Sequence, residues 1–147
     1  MEDLLKQHQF MGGLAPRHLK TLVGCVRECT LPVGHYLWRQ GEEADGFYLI
    51  RSGQIAVGID IPHQGFLQLD EVGAGDVLGW SWFIEPYRSH FDARTMTPVE
   101  ALLFDTRCLR QWCEEDRELR CELLSRIAPI IVRRLEASQK KLMELHQ

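Results

Sequence analysis

The sequence has no long hydrophobic run, no excess of basic residues and no enzyme motif. No window of the 147 residues approaches the roughly 18 consecutive apolar residues that a membrane-spanning helix needs. Seventeen Lys and Arg against twenty-one Asp and Glu give a net charge of −4, which argues against binding nucleic acid through its phosphates. The motif G-x-S-x-G, the P-loop and H-E-x-x-H are all absent, so we expect a protein that is not an enzyme.

Five cysteines are present, but none forms a C-x-x-C pair and no histidine lies at a complementary spacing. We therefore expect no metal site. An odd number of cysteines in a chain of this size favours reduced thiols over a disulfide framework. The N-terminal segment MEDLLKQHQF is acidic and polar, unlike a signal peptide, and the sequence thus indicates a cytoplasmic protein.

The composition is that of one globular domain, with 45% apolar and 26% charged residues. Leu14–Val26 is predicted to be a helix, because Pro16 suits a first turn and apolar residues follow at helical spacing. Short runs rich in β-branched and aromatic residues fill the segment from Thr30 to Asp105, and glycines separate them. This pattern predicts an antiparallel sandwich or barrel.

Helical character returns after Asp105, where Asp105 or Thr106 can cap one helix and Asp116 a longer one. Pro129 is expected to kink the longer helix or weaken one turn. Apolar residues within this helix follow the spacing of a coiled-coil seam: Leu124, Ile127, Ile131, Leu135, Ser138, Leu142 and Leu145. Basic residues are interleaved with glutamates, as is typical of a solvated helix face: Arg133, Arg134, Lys140 and Lys141.

Two interpretations of the apolar seam stay open: it packs on the sandwich, or it pairs with a second copy. Its last two turns, KKLMELHQ, extend beyond what one small β domain covers. We therefore expect a homodimer whose interface holds Ile127, Ile131, Leu135 and Leu142.

The segment GEEADGFYLIRSGQIAV, residues 41–57, resembles a motif of the cyclic nucleotide-binding domain family, which includes the catabolite activator and Fnr regulators. The matching residues are Gly41, Glu42, Ala44, Tyr48, Ile50 and Gly53. The resemblance continues through GAGDVLGW and TPVEALLFD. It implies a mainly β domain with α-helices, an antiparallel jelly roll: N-terminal helices over 1–29, the jelly roll over 30–105, and C-terminal helices with a dimerisation role over 106–147.

In that family the ligand lies in a phosphate-binding cassette that usually contains Phe-Gly-Glu and, after about eight to ten residues, Arg-Ser/Thr-Ala. Here the cassette is LGWSWFIEPYRSHFDART, and Trp80 takes the place of the glutamate. Counting back from TPVEALLFD without gaps puts Ser89 at the position of the family's arginine. A loop that is one residue different in length puts Arg88 there instead. The resemblance thus gives these candidate ligand-binding residues, with Arg88 as the main charge: Gly79, Trp80, Ser81, Trp82, Glu85, Arg88, Ser89 and His90.

The cassette resembles that of stand-alone bacterial members of the family that lack a helix-turn-helix domain. The chain ends at Gln147, still inside the predicted helix, so we expect no DNA binding by this chain alone. The resemblance implies a sensing module that binds a small anion, a cyclic nucleotide among them, and signals through an unidentified protein partner. Two alternatives stay open: an interaction or scaffold protein with a tryptophan-filled pocket, and a regulatory fragment of a longer transcription regulator. No cofactor is certain.

Overall fold

Helices flank two antiparallel sheets in the structure, a computed structural model that describes residues 1–43 and 45–147. Ala44, the alanine of the family motif, lies outside the described residues. The helices are α1 Glu2–Gln7, α2 Pro16–Val23, α3 Thr106–Glu115 and α4 Arg117–Leu145, with short 3₁₀ helices at Gln9–Met11 and Trp80–Phe83. The strands are β1 Val26–Leu31, β2 Tyr36–Trp38, β3 Gly46–Ser52, β4 Ile55–Ile61, β5 Gly65–Val72, β6 Val77–Leu78, β7 Asp92–Thr95 and β8 Val99–Asp105.

The strands pair in the orders β1-β8-β3-β6 and β2-β7-β4-β5, and each of these pairings is antiparallel. Strand β3 shows why the two sheets face each other. Phe47 and Leu49 point into a core shared with the helices, while Ile50 points into the core between the sheets. The predicted jelly roll with N-terminal helices and a long C-terminal helix is confirmed.

Helix α2 is shorter than the predicted helix over Leu14–Val26. Pro16 occupies its first turn as expected, but the helix ends at Val23 and β1 begins at Val26. Val26 pairs with Phe104 of β8 at the first position of this register. Val26 is therefore part of the sheet and not of the helix. The first strand begins at Val26, before residue 30, where the jelly roll was predicted to start.

Both predicted aspartate caps of the C-terminal helices are confirmed. The Asp105 carboxylate accepts hydrogen bonds from the backbone N–H of Arg107 and Cys108 at the start of α3, and that of Asp116 accepts one from Leu119 at the start of α4. Helix α4 then runs from Arg117 to Leu145 with Pro129 inside it. None of the described helices combines the length and apolar character that a membrane span requires.

One row of α4 packs against the domain, and it includes a residue that was predicted to face a second copy. Leu119, Leu123 and Ile127 are almost completely buried in the core beneath the helices. Ile127 was expected in the dimer interface, but its side chain has no exposed surface in the single chain. Ile127 thus lies on the core-facing side of the helix, and its part in a dimer interface stays a prediction.

Cys25 and Cys108 form a disulfide, which corrects the prediction of reduced thiols for this pair. Cys25 follows α2 and Cys108 lies in the first turn of α3, and their Cα atoms are 5.6 Å apart. Cys29, Cys113 and Cys121 are free. The argument from reduced thiols for a cytoplasmic location therefore loses its support.

Candidate functional site

The cassette begins with a sharp turn at Gly79, immediately after β6. Gly79 has a φ of +102°, in the left-handed region that favours glycine. A Cβ atom here would also lie 2.9 Å from the Trp38 ring and would collide with the Gly46 carbonyl. Glycine at this position lets the chain turn tightly against β3 and start the 3₁₀ helix Trp80–Phe83.

The two tryptophans of this helix lie in different environments. Trp82 is completely buried, with its ring centroid 5.7 Å from that of Phe47 and 5.0 Å from that of Phe83. Its side chain belongs to the core beneath the helices, and its role as a ligand-binding residue stays a prediction. Trp80 is half-buried and stacks on His90, with ring centroids 5.2 Å apart and planes inclined by 19°.

Trp80 forms part of the wall of a cavity between the cassette, the second sheet and α4. The cavity has a volume of about 20 Å³, close to the space that one water molecule needs. Its lining consists of Trp38, Val57, Leu78, Gly79, Trp80, Ser81, Ser89, Phe91, Ala93 and Arg134. Of the predicted site residues, the structure thus brings Gly79, Trp80, Ser81 and Ser89 together.

Ser89, and not Arg88, points into this cavity. Ser89 is buried, its hydroxyl donates to the Phe91 carbonyl at 2.6 Å, and its backbone N–H donates to the Glu42 carbonyl at 2.8 Å. Arg88 is exposed and donates to the Gly41 carbonyl at 3.0 Å. It lines a separate open cleft beside Glu42 and Glu43. Arg88 therefore lies outside the cassette cavity in this structure, and its role as the main charge for a ligand stays a prediction.

The other two predicted residues lie at the rim of the cassette or outside it. Glu85 is exposed, precedes a cis peptide bond to Pro86, and is not among the residues that line the cavity. His90 is exposed and covers Trp80, with its Nδ1 atom 3.5 Å from the Ser81 hydroxyl. Residues 1–43 and 45–147 contain no group of three His, Cys, Asp or Glu side chains placed to hold a metal ion.

Arg134 of α4 is the residue that the sequence analysis missed. Its side chain is only 3% exposed, lines the cavity and forms an ion pair with Asp70 of β5. Burial lowers the pKa of Arg134, and the Asp70 carboxylate opposes this effect. The sequence placed Arg134 on a solvated face. Its burial could have been predicted from its position: Arg134 lies seven residues, or two helical turns, after the buried Ile127 and so on the same side of the helix.

A second face of α4 is apolar and open to solvent. Leu135 is 57% exposed, Leu142 is 58% exposed and Leu124 is 44% exposed, while Ile131 is partly buried against the domain. Exposed Ala128 lies between Leu124 and the partly buried Ile131, so the positions of this face repeat at intervals of four and three residues, as in a heptad. The structure thus separates this face from the buried row that includes Ile127.

The family model of the cyclic nucleotide-binding domain matches residues 28–116, more than half of the sequence. The chain therefore belongs to the cyclic nucleotide-binding domain family. Among curated proteins it is similar to the CRP-like cAMP-activated global transcriptional regulator of Mycobacterium tuberculosis, with 27% identity over 145 residues. This match covers 99% of the chain and 63% of the regulator, so the chain spans less than two thirds of that relative's length.

Two solved structures illustrate the shared fold. One is a protein of Geobacter metallireducens assigned to the cyclic nucleotide-binding proteins, with a TM-score of 0.80, 23% identity, and coverage of 91% of this chain and 97% of that one. The other is the catabolite activator protein of Thermus thermophilus, with a TM-score of 0.70, 18% identity, and coverage of 94% and 63% respectively. At these identities the likeness shows the fold alone.

Proposed function

We propose that the chain is a ligand-sensing regulatory module that admits a small anion, a cyclic nucleotide among the candidates, to the cassette cavity and signals through α4. Membership of the cyclic nucleotide-binding family supports this proposal, as does similarity to a regulator that is activated by cAMP. The observation that carries it is the composition of the cavity wall. The cassette and α4 both contribute to this wall, so an occupant would contact the helix directly.

The cavity of about 20 Å³ is too small for a nucleotide, so binding requires its wall to move. Trp80 is the part of the wall that can move most easily, since its ring is half-buried and is covered on the outside by the exposed His90. The rest of the wall belongs to the cassette, to β-strands and to α4, and α4 is held in place by its buried row Leu119, Leu123 and Ile127. Ligand entry would then separate Trp80 from His90 and change the contact between the cassette and α4.

The small cavity also favours a second candidate, an interaction protein whose pocket is permanently filled. In that case Trp80 and Arg134 fill the space, and Trp82, buried elsewhere, plays no part. The coverage of 63% of the M. tuberculosis regulator fits a third candidate, the regulatory part of a longer protein. The same cavity would then signal to an attached domain through α4.

Tryptophan fluorescence distinguishes the sensor from the filled pocket. We expect at least one of cyclic AMP, cyclic GMP, cyclic di-GMP and inorganic phosphate to change the emission and raise the melting temperature. The Trp80→Phe variant should lose most of the emission change, because Trp80 and Trp38 are the tryptophans that line the cavity and Trp80 is the less buried of the two. The matched control is Trp112→Phe, which replaces a tryptophan exposed on α3 and should keep the change. The absence of any response, in emission or in melting temperature, would support the filled pocket.

A further inference from the structure

Arg134 is a buried cation, and only part of its guanidinium group forms hydrogen bonds. Its Nη1 atom donates to the Asp70 carboxylate, while Nη2 is buried and has no hydrogen-bond partner among the described residues. A guanidinium carries five N–H donors, and leaving a buried donor unpaired is costly. Unpaired buried groups of this kind are rare in folded proteins and call for an explanation.

The unpaired atom belongs to the one charged side chain among the described residues that line the cassette cavity. Trp38, Trp80 and Phe91 supply aromatic walls, and Ser81 and Ser89 supply hydroxyl groups. Arg88, the cation that the sequence predicted for this site, donates to the Gly41 carbonyl and faces a different cleft. An anion in this cavity would therefore meet Arg134 first.

We propose that Arg134 is the ligand-binding cation of the cassette cavity and that Asp70 is its counterion only until an oxyanion takes its place. This inference rests on the proposed function and specifies its ligand chemistry: a phosphate or phosphodiester group that accepts from Nη1 and Nη2 together. The Asp70 side chain is 26% exposed on β5, which lies at the edge of its sheet. Water can therefore solvate Asp70 when Arg134 leaves it.

The replacement of Asp70 by an oxyanion as the partner of Arg134 would couple ligand binding to the position of α4. The ion pair between Arg134 and Asp70 joins α4 to β5, and an oxyanion that replaces Asp70 would join α4 to the cassette instead. The nearby ion pair between Arg133 and Asp76, at 3.2 Å, is exposed and lies outside the cavity lining. It provides a matched control on the adjacent residue of the same helix.

The stack of Trp80 on His90 helps to decide whether the bound phosphate group belongs to a nucleotide or is inorganic phosphate. A flat base can replace His90 on the Trp80 ring, whereas inorganic phosphate cannot. Separate titrations with inorganic phosphate, cyclic AMP and 5′-AMP distinguish a nucleotide ligand from free phosphate. A nucleotide that binds more tightly than inorganic phosphate indicates a base on Trp80, and equal affinities indicate a site for the phosphate group alone.

The test is calorimetric titration of these three probes into the full chain and its variants. In Arg134→Met the binding of the probe should weaken by about tenfold or more, and Arg134→Lys should recover part of the loss. Arg133→Met should bind like the wild type. Asp70→Asn removes the competing charge and should bind more tightly than the wild type. Methionine keeps most of the buried volume of arginine, and circular dichroism confirms that each variant is folded.

The outcomes separate this inference from the proposed function. Unchanged affinity of a bound probe in Arg134→Met overturns the role of Arg134 and leaves the sensing function intact. Binding to Asp70→Asn alone, with none to the wild type, supports the exchange between Asp70 and the oxyanion. Failure of all three probes to bind either the wild type or Asp70→Asn overturns this inference, and the proposed function falls with it when cyclic GMP and cyclic di-GMP also fail to bind.

Discussion

Trp80 stands where the family's cassette carries a glutamate, and an indole cannot accept a hydrogen bond from a ribose hydroxyl. We therefore expect the wild type to bind cyclic AMP weakly or not at all. Replacing Trp80 by Glu should restore an acceptor and also enlarge the cavity that Trp80 lines. A charge-assisted hydrogen bond of about 1.5–3 kcal/mol corresponds to roughly ten- to hundredfold tighter binding.

Calorimetry with cyclic AMP measures this gain, and Trp80→Gln is the control. Glutamine enlarges the cavity to a similar extent without the charge, so it should gain less affinity than glutamate. Low-micromolar binding by the wild type, or equal gains in the two variants, would contradict the account of Trp80.

For the individual residues of the site, the sequence predicted where the cassette lies but not the direction of its side chains. Gly79, Trp80, Ser81 and Ser89 meet at the cavity as expected, because they flank a turn that the glycine enforces. The direction of the Arg88 side chain could not be predicted, since one residue of slack decides whether it points inward. Arg134 was missed because only the packing of α4 on the sheet brings it to the cassette.

The N-terminal helices are attached to the jelly roll through His8. Its Nε2 atom donates to the Ile50 carbonyl at 2.9 Å, and its Nδ1 atom accepts from the Phe10 backbone N–H at 3.1 Å. Both contacts require the neutral ring with its proton on Nε2. Burial lowers the pKa of His8 from its ordinary value of 6.5, and the Ile50 carbonyl and Asp76 oppose this effect.

The lowered pKa predicts a loss of stability in acid. Unfolded His8 binds a proton as the pH falls through about 6.5, whereas folded His8 resists it. The stabilisation is therefore complete above about pH 6.5 and declines below it. Urea unfolding at about pH 7.5 and pH 5.5 should show a larger fall in the free energy of unfolding for the wild type than for His8→Gln. Equal falls in the two proteins would contradict this role.

The elements themselves were largely predictable, and the exceptions have physical causes. The aspartate caps of α3 and α4 were predictable because capping depends on residues only two or three positions apart. The end of α2 was missed because Val26 fits the helical spacing but pairs with β8, a strand that lies far along the chain. The disulfide was missed because Cys25 and Cys108 are 83 residues apart.

For the whole molecule, the exposed apolar face of α4 predicts a parallel homodimer. Leu135 and Leu142 are each more than half exposed in the single chain, although their spacing is that of a coiled-coil seam. Leu135→Glu and Leu142→Glu should each give a monomer in sedimentation at tens of micromolar, because two buried carboxylates would face each other. The control is Val33→Glu, an exposed apolar residue between β1 and β2 that should leave the dimer intact.

The orientation of the dimer can be tested with a native cysteine. Exposed Cys121 lies three residues before Leu124 and extends the same seam toward the start of α4. A parallel pair brings the two Cys121 side chains together, so mild oxidation should give a covalent dimer that Cys121→Ser does not form. A wild-type monomer at tens of micromolar would contradict the dimer, and a dimer without this cross-link would contradict the parallel orientation.

The central claim is that the cassette cavity senses a small anion in direct contact with α4. Nuclear magnetic resonance tests it most directly, by following the Trp80 indole N–H and the Arg134 side-chain N–H signals during titration with cyclic nucleotides and inorganic phosphate. The account predicts that a bound probe shifts both signals together, since both side chains line the same cavity. Saturation of a probe that leaves the Trp80 and Arg134 signals unmoved, or that shifts only Arg88, would contradict it.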